Sequence, residues 1–271
     1  RPMTDTAPDS AIHDRSSRSA LPLSRASVLA DYRTAWESRH ASLIGRREVL
    51  TGKGKFGIFG DGKELAQLAM ARAARPGDFR SGYYRDQTFM MAVGELTLDQ
   101  FFAQLYADAD PVREPASAGR QMNAHFATRL RDADGAPLDL MARVQSAADM
   151  SPTAGQMPRL VGLGYASRLY RELPGLEEFG AFSHGGNEIA FGTIGNASTA
   201  EGHFWEAVNA IGVLRAAVLL SIWDDGYGIS VANEFQICKA DLSEMLSGFG
   251  RKAGGDEGFE LYRVCGWDYP A

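Results

Sequence analysis

Residues 189–230, IAFGTIGNASTAEGHFWEAVNAIGVLRAAVLLSIWDDGYGIS, alternate between two kinds of hydrophobic pattern. Residues 189–194 form a short apolar run that ends in Gly195-Asn196-Ala197-Ser198-Thr199, the composition of a strand followed by a loop. Ser198 and Glu201 have the spacing of a capping box, which predicts a helix running to about Leu214. On that helix Phe204, Val208 and Ile211 share one face. Residues 216–223 then form a second, nearly continuous apolar run, as expected of a parallel strand covered on both sides. Strand, helix, strand in this order predicts a right-handed βαβ crossover. The fold class that follows is α/β, a mostly parallel sheet with helices on both faces.

That topology has a chemical consequence. Asn196 lies just past the first strand and Asp225 just past the second, so the crossover returns both to the same sheet edge. Parallel sheets bind ligands at that carboxyl edge. One carboxylate, one amide oxygen and a turn carbonyl are a reasonable protein share of an octahedral Mg²⁺ site completed by phosphate and water. Gly226 and Gly228 let the backbone bend there. The competing reading is local: Asn and Asp beside glycine are common turn formers, and Asp224 is equally suited to capping a turn or facing solvent.

The rest of the chain bounds the answer. Its 271 residues carry a net charge of -6 with 45% hydrophobic residues, and no basic stripe points to nucleic acid. No apolar run is long enough to cross a bilayer. Cys238 and Cys265 lack metal-ligand spacing and read as buried or half-buried thiols, which suits a reducing cytoplasm. Residues 1–26 read as a loosely ordered extension before a domain over 27–271. The absent initiator Met and the strand-like final residues suggest a piece of something longer, cut at its C-terminus.

A helix is expected over about residues 27–43, with Val28, Tyr32, Ala35, Trp36 and Leu43 on its apolar face. The Gly/Lys-rich segment after it reads as a loop. A second helix is expected over 64–74, stopped by Arg75-Pro76-Gly77. A third begins at Thr97, with Gln100 as its capping-box partner. Residues 107–148 read as loops with short helices. A helix over 158–170 carries Gly162 and Gly164, whose tolerance implies close packing.

The segment from Gly195 to Ser230 resembles the thiamine-diphosphate motif, opening with Gly-Asp-Gly and closing with Asn-Asn, of the E1 α-subunits of pyruvate and branched-chain 2-oxoacid dehydrogenases. Asn196 stands where the family has its first metal-binding aspartate, and Asp225 where it has its last metal-binding asparagine. The exchange leaves the charge of that pair unchanged. Gly62-Lys63-Glu64 resembles the family's Gly-Gln-Glu, with Lys63 read as a surface residue at a helix start. Residues 75–94 resemble the stretch ending in Tyr-Arg-Asp. The SIWDDGYGIS form is similar to a subgroup in which α and β portions are fused in one chain.

The resemblance implies thiamine diphosphate and Mg²⁺ as cofactors, with Asn196, Asp225 and Tyr227 on the metal. It implies that Tyr84 and Arg85 approach the diphosphate, against a rival reading of a packed tyrosine and a surface pair between Arg85 and Asp86. Gly195, Ala197 and Ser198 would line the cofactor turn. Gln156 and Met157, in a stretch resembling Val-Gly-Ala-Gln-x-Pro, would line the cleft, with ordinary helix packing as the rival for Met157. His125 would face the reactive end, against the reading of a satisfied structural histidine. His13, His40, His184 and His203 have weaker claims.

The implied activity is oxidative decarboxylation of a 2-oxoacid with acyl transfer to a lipoyl-bearing E2. The implied partners are an E1 β-type subunit or fused β domain within an oligomer such as a heterotetramer. The isolated chain is expected to be inactive, because the family's activating glutamate comes from the β portion. A transketolase-like thiamine enzyme and a noncatalytic interaction domain are the alternative readings.

Overall fold

A computed structural model describes residues 12–15, 23–252 and 254–269. Most of the extension expected over 1–26 lies outside the described residues. Within it, β1 (Ile12–Arg15) pairs in parallel with β8 (Leu261–Val264).

The centre of the molecule is a four-stranded, all-parallel sheet. It is built from β2 (Phe79–Ser81), β3 (Gln145–Ser146), β4 (Ala190–Gly195) and β5 (Val218–Trp223), in the order β3-β2-β4-β5. The βαβ unit read from the sequence is present: β4, then α6 (Gly202–Leu214), then β5, with Ala190 opposite Val218 and Gly195 opposite Trp223. Period-two alternation sends the two faces of these strands into different cores. Ala190 and Ile194, with Val218, Leu220 and Ile222, pack against α5 (Gln156–Glu172) and α6 through Met157, Leu160, Phe204, Val208 and Ile211. Phe191 and Trp223 turn the other way, onto Met70 of α2 (Glu64–Ala73) and onto Phe89 and Met90 of α3 (Gln87–Ala92). A smaller core joins α1 (Arg25–Leu50) to α4 (Leu98–Leu105) through Ala41, Phe59, Phe101 and Leu105. After β5 come the hairpin β6 (Tyr227–Gly228) and β7 (Val231–Ala232), and then α7 (Leu242–Leu246).

Several local expectations hold. The Gln100 N–H donates to Thr97 Oγ1 at 3.2 Å and the Thr97 N–H to Gln100 Oε1 at 2.9 Å, a complete capping box. A Cβ on Gly164 would lie 2.5 Å from Val218 Cγ2, so this helix glycine does permit close packing on β5. Gly162 meets nothing within 4 Å, and the same explanation fails for it.

Other expectations are corrected. Helix α1 is longer than read, and the face carrying Val28, Tyr32, Trp36 and Leu43 is exposed. It packs instead through Ser38, Ala41, Ser42 and Gly45, because Gln87 Nε2 donates to Ser38 O and to the Ser38 and Ser42 hydroxyls. Strand β5 lies at the edge of the sheet and is only half-buried, so its apolar run is not that of a doubly covered interior strand. Ser198 does not cap α6. A 3₁₀ turn over Asn196–Ala200 intervenes, locked by the Thr199 hydroxyl on Asn196 O at 2.6 Å, and Glu201 takes the N-cap position. Cys238 is exposed rather than buried, and both thiols are free.

One ionic cluster ties the sheet to the loops above it. Arg80, with 0% exposure, donates from Nε to Asp86 Oδ2 at 2.7 Å. Its Nη1 reaches Asp149 Oδ1 at 2.9 Å and Ser146 Oγ at 2.7 Å, and its Nη2 reaches Asp149 Oδ2 at 3.1 Å and Tyr83 O at 2.8 Å. Burial alone would lower the Arg80 pKa, but Asp149 and Asp86 outweigh it and hold the guanidinium above its ordinary range. Replacing Arg80 by Leu would strand two buried carboxylates. Removing one partner of a buried ion pair costs about 3–5 kcal/mol. Denaturant unfolding of Arg80→Leu should show a loss of at least that order.

Candidate cofactor and metal site

The two loop tips meet at the carboxyl edge of the sheet. Asn196 is 3% exposed, and its Nδ2 donates to Tyr227 O at 3.1 Å and to Asn233 Oδ1 at 2.6 Å. Asn233 Nδ2 in turn donates to Asp224 Oδ1 at 3.0 Å. A carboxylate can only accept, so Asp224 orients the Asn233 amide and Asn233 orients that of Asn196. The outcome is chemical: both Asn196 amide hydrogens are engaged, and no hydrogen bond among the described residues reaches its Oδ1. An amide oxygen fixed and left free in this way is a ready hard-cation ligand.

The second loop is shaped to present its own oxygens. Gly226 has φ +81°, a left-handed turn that favours glycine, and its N–H donates to Asp224 Oδ1 at 2.9 Å. A Cβ on Gly228 would lie 2.5 Å from Ala197 Cβ, so this glycine allows the two tips to touch. Asp225 Oδ1 accepts the Tyr227 N–H at 3.2 Å, while Oδ2 pairs with Lys63 Nζ at 3.3 Å. The structure brings the Asn196 amide nitrogen onto the Tyr227 carbonyl and turns the Asp225 carboxylate towards α2. Asp224, read as a simple turn residue, is the anchor of the amide relay. Asn233 had no signal in the sequence.

Lys63 is likewise not a plain surface residue. It is the N-cap residue of α2, and its side chain is 11% exposed, whereas that of Asp225 is 57% exposed. The turn before it is held by Glu64, which accepts the Gly62 N–H and takes Arg39 in a bidentate pair at 2.6 and 2.8 Å. Burial would raise the Glu64 pKa, but Arg39 and the backbone N–H groups prevail and hold it below the usual carboxylate range.

Tyr84 and Arg85 are half-buried and stand together, the guanidinium 5.5 Å from the Tyr84 ring centroid. Arg85 Nη1 donates to Phe59 O at 3.2 Å, which leaves donors over for an anion. The rival pairing of Arg85 with Asp86 is absent, because Asp86 belongs to the Arg80 cluster. Tyr83, which the sequence reading passed over, is buried with its phenol oxygen unpartnered; a Cβ on Gly195 would lie 3.7 Å from that oxygen. Burial, with Asp86 adding to it, pushes the Tyr83 phenol well above its ordinary pKa and keeps it a neutral donor. Trp223 Nε1, at the end of β5, is a second buried donor without a partner. Unpartnered buried donors at a sheet edge are what an anionic ligand would satisfy.

Gly195, Ala197 and Ser198 are half-buried and accessible in the turn. Gln156 is a structural strut, its Nε2 on Thr193 O at 2.9 Å. Met157 is fully buried in the α5–α6 core, the packing role weighed for it above. His125 is also buried. Its Nδ1 lies 3.2 Å from Asn123 O and its Nε2 3.1 Å from Ser151 Oγ. A carbonyl only accepts, so Nδ1 carries a proton, and neither nitrogen reaches the Asn196 group. His203 bonds Thr153 O at 3.0 Å. Among the described residues no three His, Cys, Asp or Glu cluster as a metal site, so a cation here depends on the mixed amide, carboxylate and carbonyl oxygens.

A family model for the dehydrogenase E1 component matches residues 38–250. The chain belongs to this E1 family. The 2-oxoisovalerate dehydrogenase subunit alpha of Bacillus subtilis (strain 168) is 27% identical over 218 residues, covering 79% of this chain and 57% of the relative. The mitochondrial 2-oxoisovalerate dehydrogenase subunit alpha of Caenorhabditis elegans is 26% identical over 185 residues, 68% of this chain and 36% of the relative. The corresponding mitochondrial subunit alpha 1 of Arabidopsis thaliana is 25% identical over 179 residues, 66% of this chain and 31% of the relative. The chain thus spans little more than half, or less, of these E1 relatives. The family match takes in every residue of the two loop tips.

Two measurements follow for this E1 chain. Asn233→Ala frees the Asn196 amide to rotate; where an orienting group behind a metal ligand is lost, affinity falls roughly 10–100-fold, and titration calorimetry with Mg²⁺ in the presence of thiamine diphosphate tests whether Asn196 is such a ligand. Because the folded Glu64 pKa is depressed, its contribution to stability is present above the ordinary value of 4.5 and is lost as pH falls through the lower folded value. Thermal melts should therefore show wild type more stable than Glu64→Gln at neutral pH, with the gap closing in acid.

Proposed function

We propose that this chain forms the diphosphate- and Mg²⁺-binding half of a thiamine-diphosphate-dependent E1 that decarboxylates a branched-chain 2-oxoacid and passes the acyl group to a lipoyl-bearing E2. The observation that carries the reading is the Asn196 amide, whose Nδ2 rests on the Tyr227 carbonyl and whose Oδ1 accepts no hydrogen bond among the described residues, at the edge where β4 and β5 end. Asn196 and Tyr227 hold the metal through oxygen, and Asp225 supplies the negative charge. Arg85, Tyr84 and Tyr83 donate to the diphosphate, over a turn lined by Gly195, Ala197 and Ser198. Bound here, thiamine diphosphate supplies the electron sink that decarboxylation requires. The protein's share is to orient it and neutralise its charge. His125, its ring held between Asn123 O and Ser151 Oγ, is the candidate group for the reactive end of the cofactor.

A partner is part of the proposal. Tyr227, Ile229, Val231 and Phe235 expose apolar surface on and after the β6–β7 hairpin next to the cleft. A cluster of this kind supports burial against an E1 β-type subunit or fused β domain. Among the described residues no helix is long and apolar enough to cross a membrane. A cytoplasmic site of action is supported by the two free thiols. The branched-chain substrate class is supported by the names of the three relatives.

The full-length protein assembled with its β portion should bind Mg²⁺ and thiamine diphosphate together and turn over branched-chain 2-oxoacids with a lipoyl acceptor. Arg85→Ala removes a charged donor whose hydrogen bond is worth about 1.5–3 kcal/mol, so cofactor affinity should fall roughly 10–150-fold. Ketol transfer in place of lipoyl acylation, or no heat with metal and cofactor, would overturn the reading.

A further inference from the structure

The Lys63–Asp225 pair joins residues 162 positions apart across the mouth of the site. A lysine at this depth is unusual. Its stem is packed away, leaving 11% of the side chain exposed, while the carboxylate it reaches is 57% exposed. Long cationic side chains ordinarily place the head in water and bury only the stem. Here the head is aimed at the one carboxylate among the three candidate metal ligands. The Gly62 turn, at φ +99°, and the Arg39–Glu64 pair fix the helix start from which it projects.

Resting on the cofactor reading above, we propose that Lys63 couples metal uptake to diphosphate uptake. The ammonium holds Asp225 as an internal counter-ion, so a divalent cation arriving alone meets a ligand already paired and a like charge beside it. A diphosphate arriving at the same mouth offers Lys63 a stronger anionic partner. Lys63 would then pair with phosphate, which would release Asp225 to serve as a metal ligand. Each ligand then raises the affinity of the other by the same factor, as linkage demands, and couplings of this kind span about 5–150-fold. No bond is made or broken covalently; only ion pairs are exchanged.

The full-length protein would be titrated by calorimetry with Mg²⁺ alone, with inorganic pyrophosphate alone, and with Mg²⁺ plus thiamine diphosphate, as wild type, Lys63→Gln and Lys63→Arg. Lys63→Gln should bind Mg²⁺ alone at least about 5-fold more tightly and pyrophosphate alone at least about 5-fold more weakly. Lys63→Arg should stay close to wild type in both. The opposite signs are the signature, because a loosened or misfolded site would lose affinity for both ligands. Equal or weaker binding of Mg²⁺ by Lys63→Gln would overturn the coupling. If wild type binds metal with thiamine diphosphate and only the split is missing, the coupling alone fails. If wild type binds neither, the cofactor reading falls with it.

Discussion

A single guanidinium with no access to water sets the geometry of this domain. Arg80 sits on β2, yet its five donor positions reach the 83–86 turn, the end of β3 and the loop before α5. Asp86 then extends the cluster to β4, accepting the Thr193 hydroxyl with the same oxygen. Burying three charges is expensive, and it is tolerated only where geometry satisfies nearly every donor and acceptor. The return on that expense is position. The turn that carries Tyr83, Tyr84 and Arg85 is pinned to the strand whose far end carries Asn196.

The site above it is built on the same logic with neutral groups. Backbone turns place Asp224, Gly226 and Tyr227; a short amide relay places Asn196. Each member has one geometry that satisfies all its neighbours, so the group is ordered before any ligand arrives. Preorganisation of this kind removes a cost that binding would otherwise meet.

How much of this was legible in the sequence depended on whether the signal was local. The β4–α6–β5 unit was legible to within three residues, the largest shift being the helix start, because apolar runs and a glycine-rich turn are contiguous features. The capping box at Thr97 was read for the same reason. The Arg80 cluster was missed, since its carboxylates are 6 and 69 positions away with no repeating interval between them. Lys63 was misread because its partner is 162 positions distant. The outward face of α1 was misjudged on hydrophobicity alone; the inward face is made of serines, alanine and glycine, whose small size allows approach that no periodicity score rewards.

The amide relay also constrains how this site can change over generations. If Asn196 alone became aspartate, its carboxylate oxygen would face the Tyr227 carbonyl and Asn233 Oδ1, acceptor against acceptor. Turning the Asn233 amide around would relieve one clash and create another at Asp224. A further exchange of Asp224 for asparagine restores a consistent direction of donation along 224, Asn233 and 196, and leaves only the Tyr227 carbonyl opposite an acceptor. The two versions are mirror polarities of one wire, separated by intermediates in which like dipoles collide. Positions 196 and 224 should therefore drift together among kindred sequences or not at all.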